Sequence, residues 1–449
     1  MSRARVAALS LMALTLVAIV FFSRLTASHD SQPSPATGSV AAPEAAYEST
    51  TATTEELIAF WRARVERNPR DYISYAELGG AFLRQARETG DVGSYSRAEA
   101  SVEQALGLNP KYETALSYLA AVLYAQHDFA GALGRAERVY ALNPGSAQAL
   151  AVIGDASLEL GRYDEAGSAY DKLLELSRTP PVFSRLARLA ELKGQPHKAV
   201  ELLTGAASEA DAAVGSPESR AWYRLQLGNL YFNTGDLESA KTQYDLSLDA
   251  FPDYVHALAA LGRIHTARAE YDEAIAFYQQ VVARQPVAEY VIALGDTYQA
   301  AGRVADAQRQ FDLVDAINAL YEANGINTEL SMALYLADHD TRVADAVAAA
   351  RAVYQKQPGS IYAADVLAWS LYKVGRPEKA LPYSQEALRL GTQDALILFH
   401  ASMVNRELGN TEEARGLLAQ ALEINPHFSV LYAKQAAAAL DELSALVRN

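Results

Sequence analysis

Residues 221–286 read AWYRLQLGNLYFNTGDLESAKTQYDLSLDAFPDYVHALAALGRIHTARAEYDEAIAFYQQVVARQP. The two halves of this stretch carry matching residues in the same order. The first holds Leu227, Gly228, Tyr231, Ala240, Tyr244 and Pro252, and the second holds Leu258, Leu261, Gly262, Ala274, Tyr278 and Pro286. Pro252 and Pro286 stand 34 residues apart, as do Pro110 and Pro144, while Pro358 to Pro426 is twice that period. From Ala288 the pattern returns as Leu294, Gly295, Tyr298, Ala307 and Phe311. Self-similarity at such a period marks an array of small units, not one large core.

Along the rest of the chain one small residue recurs as Ala98, Ala132, Ala166, Ala199, Ala240, Ala274, Ala307, Ala346, Ala380 and Ala414. Two antiparallel helices per unit explain it. Where they come closest only Gly or Ala fits. Gly161, Gly194, Gly235, Gly302, Gly375 and Gly409 fall just after the first helix of their units, where a residue with positive φ ends it. Phe129, Tyr163 and Tyr271 follow two residues after that turn position and are expected to pack over it. The closing proline cannot continue the second helix and starts the next unit.

The pattern resembles the tetratricopeptide repeat family, whose 34-residue unit has Leu at position 7, Gly or Ala at 8, an aromatic at 11, Ala at 20, an aromatic at 24 and Pro at 32. The resemblance covers residues 55 to 447. It implies an all-α fold, a right-handed α-solenoid (superhelix) of about ten helix-turn-helix units with capping helices. One unit cannot bury its apolar face alone, so neighbours stack and leave a concave and a convex side. Thr53-x-x-Glu56 is a capping box, which predicts a helix from Thr54 to Arg67 as an N-terminal cap. Phe428 to Val447 is expected to form the last helix. The alanine spacing breaks around Gly90–Tyr95, around Gly215-Ser216-Pro217 and around Ala323-Asn324-Gly325, as loops or lengthened helices. These breaks divide the repeats into blocks 54–214, 215–325 and 326–449.

The N-terminus has a different character. Arg3 and Arg5 precede an uncharged apolar run from Val6 to Phe22, and Ser23-Arg24 follows. The run lies between the length of a signal-peptide core and that of a spanning helix. Residues 1–27 are expected to be a signal anchor or a signal peptide, with the anchor favoured. Residues 28–53, rich in Ser, Pro, Ala and Thr, are expected to be a disordered tether. The repeats are then expected on the extracytoplasmic side of an inner membrane, or secreted or periplasmic after cleavage.

The formal net charge is −15 over 449 residues. Such a chain repels phosphate backbones, and no basic cluster follows residue 5, so nucleic acid is excluded as a partner. The absence of cysteine removes disulfides, thiolate metal sites and thiol nucleophiles. No phosphate loop or G-x-S-x-G motif occurs, the eight histidines form no metal-ligand spacing, and Asp338-His339-Asp340 falls at a helix end where polar turn residues belong. The sequence therefore predicts no enzyme, no cofactor and no metal. Asp164-Glu165, Asp272-Glu273 and Glu412-Glu413 sit in first turns of second helices, where they favour the positive end of the helix dipole.

The resemblance also says where a partner would sit. In the family, positions 2, 5, 9, 12 and 13 of the first helix line the concave face. The carboxylate clamp of some members needs Lys at position 5. Here that position holds Ala76, Ser117, Ala151, Ser184, Leu225, Ala259, Ile292, Ser331, Asp365 and Phe399, so the clamp is absent. The concave positions instead carry Trp222, Leu225, Asn229 and Phe232, then Tyr335, Tyr362, Asp365, Trp369, Tyr372, Phe399, Met403 and Arg406. Clustered aromatics of this kind serve either as a partner-binding stripe or as packing between repeats. The functional expectation is a protein–protein interaction scaffold, organising an envelope assembly, secretion or export complex, with the membrane contacted through the N-terminal helix. The alternative is an extracytoplasmic receptor for peptides or saccharides.

Overall fold

The computed structural model describes residues 53–212 and 217–448. The anchor or signal over 1–27, and the tether except for Thr53, lie outside the described residues. Among the described residues no helix is long and apolar enough to cross a membrane.

The described residues form 22 α-helices and no strand. Successive helices pair within each repeat. Glu113–Ala125 packs on Phe129–Leu142, Val255–Ala267 on Tyr271–Arg284, and Ile361–Lys373 on Pro377–Ala387. The chain is an all-α repeat solenoid. The described residues divide into two compact units, those of 53–152 with Asn324–Ile326, and those of 153–323 with 327–448.

The periodic small residues do what the pairing requires. All ten recurring alanines are at most 2% exposed. The glycines at position 8 face the large residue at position 24 of the same unit. A Cβ on Gly154 would lie 2.2 Å from a ring carbon of Tyr170, one on Gly228 2.5 Å from Tyr244, and one on Gly295 2.4 Å from Phe311. The aromatic thus sits on the bare backbone of the first helix, and a larger residue there would overpack the pair by about 1–3 kcal/mol.

Gly161, Gly194, Gly235, Gly302, Gly375 and Gly409 all have positive φ. His127 and Ala269 adopt the same conformation in units that lack the glycine. Acidic pairs do open second helices at Asp164-Glu165, Asp272-Glu273 and Glu412-Glu413.

The first helix spans Thr54–Arg67 and carries the full capping box. Glu56 N–H donates to Thr53 Oγ1 at 3.2 Å, and Thr53 N–H donates to Glu56 Oε2 at 2.8 Å. The first break in spacing lengthens a first helix, Tyr72–Thr89, which ends at Gly90 with φ 68. The third lengthens a second helix, Val304–Ala323. The last helix is Ala433–Arg448, so it begins later than the expected Phe428. Leu431 and Tyr432 donate their N–H groups to Ser429 Oγ, a local turn that competes with helix before Ala433.

Candidate partner-binding face

The expected aromatic stripe is mostly core. Trp222, Leu225, Phe232, Asp365, Trp369, Phe399 and Met403 are all buried against the chain itself, so they present no surface to a partner. The cause at the C-terminal end is the last helix, whose Ala436, Ala439 and Leu443 share one apolar cluster with Trp369, Phe399 and Met403. Phe399 stacks on Tyr432 with ring centroids 5.0 Å apart. Trp369 stacks on His400 at 4.1 Å and gives its indole N–H to Asp338 Oδ1 at 2.8 Å. Asp365 binds His400 Nδ1 at 3.0 Å. Phe232 lies under the Arg263 guanidinium at 4.0 Å.

The other five residues are half-buried. Asn229 Oδ1 accepts from Tyr244 Oη at 3.0 Å and from Arg263 at 2.8 Å. The Tyr362 hydroxyl accepts from Arg188 at 3.0 Å. Tyr335 packs on His339 and Phe311, Tyr372 stacks on Trp369, and Arg406 pairs with Glu442 at 2.6 Å. The groups of Asp338-His339-Asp340 are engaged separately, by Trp369 and Tyr432, by Asp296, and by Lys373. Among the described residues no group of three His, Cys, Asp or Glu is arranged to hold a metal.

Beside these half-buried tyrosines, the first helices of the second unit carry a run of polar residues. Position 9 of five successive repeats holds Asp155, Arg188, Asn229, Arg263 and Asp296. Two members are tied into the core: Asp155 by Arg185, and Asp296 by His339 Nε2 at 2.7 Å. Arg188, Asn229 and Arg263 stay partly open to solvent. Around Arg188 stand Glu191, bonded at 2.8 Å, and Glu159, with Asn233 donating to Glu191 at 2.9 Å. Around Arg263 stands Glu289. The Glu289 side chain is exposed to solvent. Desolvation by the surrounding protein raises its carboxyl above the ordinary range, with Arg263 offsetting part of the effect. Glu159 is likewise pushed up to about 7 by burial, against the pull of Arg188. These carboxylates were not singled out from the sequence, where a lone Glu on a helix reads as ordinary surface. The signal that could have found them was position 9 turning polar over five units.

Two models described as tetratricopeptide repeat match the sequence, one at residues 83–133, 225–289 and 366–427, the other at 123–189. The matched segments contain seven of the ten buried alanines and the polar positions of the second unit from Asp155 to Arg263.

The chain is a tetratricopeptide repeat protein.

Cellulose synthase operon protein C of Pseudomonas fluorescens (strain SBW25) is 29% identical over 157 residues, 34% of this chain and 12% of that protein. This repeat protein therefore spans a small part of the relative's length. A crystallised tetratricopeptide repeat protein from Parabacteroides merdae ATCC 43184 is similar over 51% of this chain and 86% of its own, with 19% identity and a TM-score of 0.42. A thermophilic repeat protein of Thermus thermophilus matches 41% of this chain and 98% of its own, with 25% identity and a TM-score of 0.36. The tetratricopeptide fold supports a protein–protein interaction scaffold: stacked first helices offer a long continuous face with side chains at fixed intervals.

Proposed function

We propose that this protein is a non-enzymatic scaffold that holds an extended segment of a partner protein along the first-helix face of its second unit, and that it organises an envelope assembly, secretion or export complex. The observation that carries the reading is the polar set Glu159, Arg188, Glu191, Arg263 and Glu289, accessible to solvent on the first helices of the second unit's repeats. Three carboxylates against two guanidiniums suit a segment that brings Lys or Arg together with unpaired peptide groups, and such charge matching sets register and partner choice. Tyr362, Tyr372 and Tyr335 add half-buried aromatic edges, and Asn229 and Arg406 add polar ones. In this reading the apolar run from Val6 to Phe22 holds the repeats on the extracytoplasmic side of the inner membrane, or is cleaved to release them there.

The test is affinity capture from detergent-solubilised membranes with the full chain and with Glu191→Lys/Glu289→Lys. Both side chains are accessible, so helical content by circular dichroism should be unchanged. Enrichment of the captured proteins should fall at least about tenfold, equivalent to about 1.4 kcal/mol. A variant that keeps every partner at wild-type levels would remove this face from consideration.

A second reading, a saccharide receptor, draws on the name of the relative from Pseudomonas fluorescens and on Tyr362 standing beside Arg188 and Glu191. Titration calorimetry with cello-oligosaccharides separates the two readings. Heat of binding that Tyr362→Ala abolishes would support the receptor; a flat titration leaves the scaffold.

A further inference from the structure

Within the second unit, repeats far apart in sequence meet edge to edge at three places. A Cβ on Gly161 would lie 1.8 Å from the carbonyl carbon of Gly359. One on Gly194 would lie 2.0 Å from Gly391 O, and one on Gly235 2.7 Å from Ile424 O. In each case the turn after a first helix touches the end of the repeat five units further on. Polar contacts reinforce the meeting. Ile361 N–H donates to the Tyr163 hydroxyl at 3.1 Å in a buried position, and Asn425 Nδ2 donates to Phe232 O at 2.8 Å, also buried. Arg389 lies over the Tyr163 ring and donates to the carbonyls of Gly161 and Gly359. Leu158, Tyr163, Leu189 and Leu192 share an apolar cluster with Ile361 and Ile397.

The glycines at these crossings differ from their equivalents elsewhere. Gly302, Gly375 and Gly409 have the same positive φ, and a Cβ on any of them would meet nothing within 4 Å. His127 and Ala269 show that this turn conformation tolerates a side chain. Positive φ alone therefore does not demand glycine here. At Gly161, Gly194 and Gly235 the approach of another backbone does.

We propose that the three crossings form a latch that closes the second unit's coil on itself and fixes the width of its inner face. The backbone contacts leave no room for adjustment: each crossing is either made or broken. An open solenoid stretches like a spring, because each repeat touches only its neighbours. This one is held by contacts five repeats apart. A partner segment then enters along the coil from an end, and a bulkier partner has to break the crossings.

The chain has no cysteine, so paired spin labels can be placed without background. Full-length protein with Lys193→Cys and Gln393→Cys reports the Gly194–Gly391 crossing; Gln393 Cγ lies 3.7 Å from where a Gly194 Cβ would be. Pulsed electron resonance should give one narrow distance near the short limit of the method. Adding Gly194→Ala should lengthen and broaden it, while Gly409→Ala, equal in φ but facing open space, should leave it unchanged. Circular dichroism should show both variants folded. If Gly194→Ala fails to fold, Arg389→Ala is the replacement, loosening the neighbouring crossing from an exposed side chain. A broad, long distance in the unmutated background would overturn the proposal, as would equal behaviour of the crossing and control variants. Neither outcome bears on which partner the inner face binds.

Discussion

The Trp369 indole N–H donates to Asp338 Oδ1 at 2.8 Å while the ring lies 1% exposed between His400 and Tyr372. This pair makes Trp369 a core residue. Trp369→Ala should therefore destabilise the second unit by about 3–5 kcal/mol, through the cavity and the loss of one of the two hydrogen bonds that Asp338 Oδ1 accepts, the Tyr432 hydroxyl supplying the other. Urea unfolding followed by circular dichroism measures it. A loss below about 1 kcal/mol would mean that the ring is dispensable to the fold.

Arg185 grips the Asp155 carboxylate through Nε and Nη2, each at 2.9 Å, with both side chains buried and Tyr170 donating to the same carboxylate. Removing one partner leaves a buried charge uncompensated. Asp155→Ala should cost about 3–5 kcal/mol, and the double replacement Asp155→Leu/Arg185→Met should recover most of that loss. Equal instability of the single and double variants would show that packing at this site, not the unpaired charge, sets the cost.

His400 is expected to make stability depend on pH. Burial disfavours its charged form, but Asp365 at 3.0 Å, with Asp338 and Asp394 further off, outweighs that and raises its pKa above the ordinary 6.5. A histidine raised in the fold contributes stability that is complete below the unfolded value and fades as pH rises through the folded one. The stability difference between wild type and His400→Gln should thus be largest at and below about pH 6.5 and shrink on the alkaline side. A difference that stays constant from pH 6 to 9 would contradict the assignment.

Thr53 offers a milder test at the N-terminal cap. Thr53→Ala removes the acceptor for Glu56 N–H and should cost about 1 kcal/mol. Hydrogen exchange should accelerate over the first turn of Thr54–Arg67 and stay unchanged in the second unit. Acceleration throughout the chain would mean that the cap governs the whole array.

The repeat was legible in the sequence because its determinants are local. Ala240 meets the partner helix of its own unit, Gly235 ends the helix before it, and Thr53 caps three residues ahead. Each is a statement about neighbours within one 34-residue period. The binding face was legible only as a helical stripe. Spacing placed Trp369, Phe399 and Met403 on one side of their helices but not what lay against that side. The last helix covers them, and nothing local at Trp369 announces Ala436 or Leu443. The edge crossings were hidden for the same reason. Gly161 and Gly409 look identical in sequence, and only Gly161 has another backbone against it. Glu159 and Glu289 escaped notice because a carboxylate on a helix has an ordinary solvent explanation until the surrounding repeats are known.

In the proposed function, partners lie along the first-helix face of the second unit. Carbodiimide footprinting of carboxylates, read by mass spectrometry on the free chain and on the complex captured from membranes, tests it most directly. Glu191 and Glu289 should lose reactivity in the complex, while Asp164, Glu165, Glu412 and Glu413 on second helices keep theirs. Protection confined to those second-helix carboxylates, with Glu191 and Glu289 as reactive as in the free chain, would contradict it.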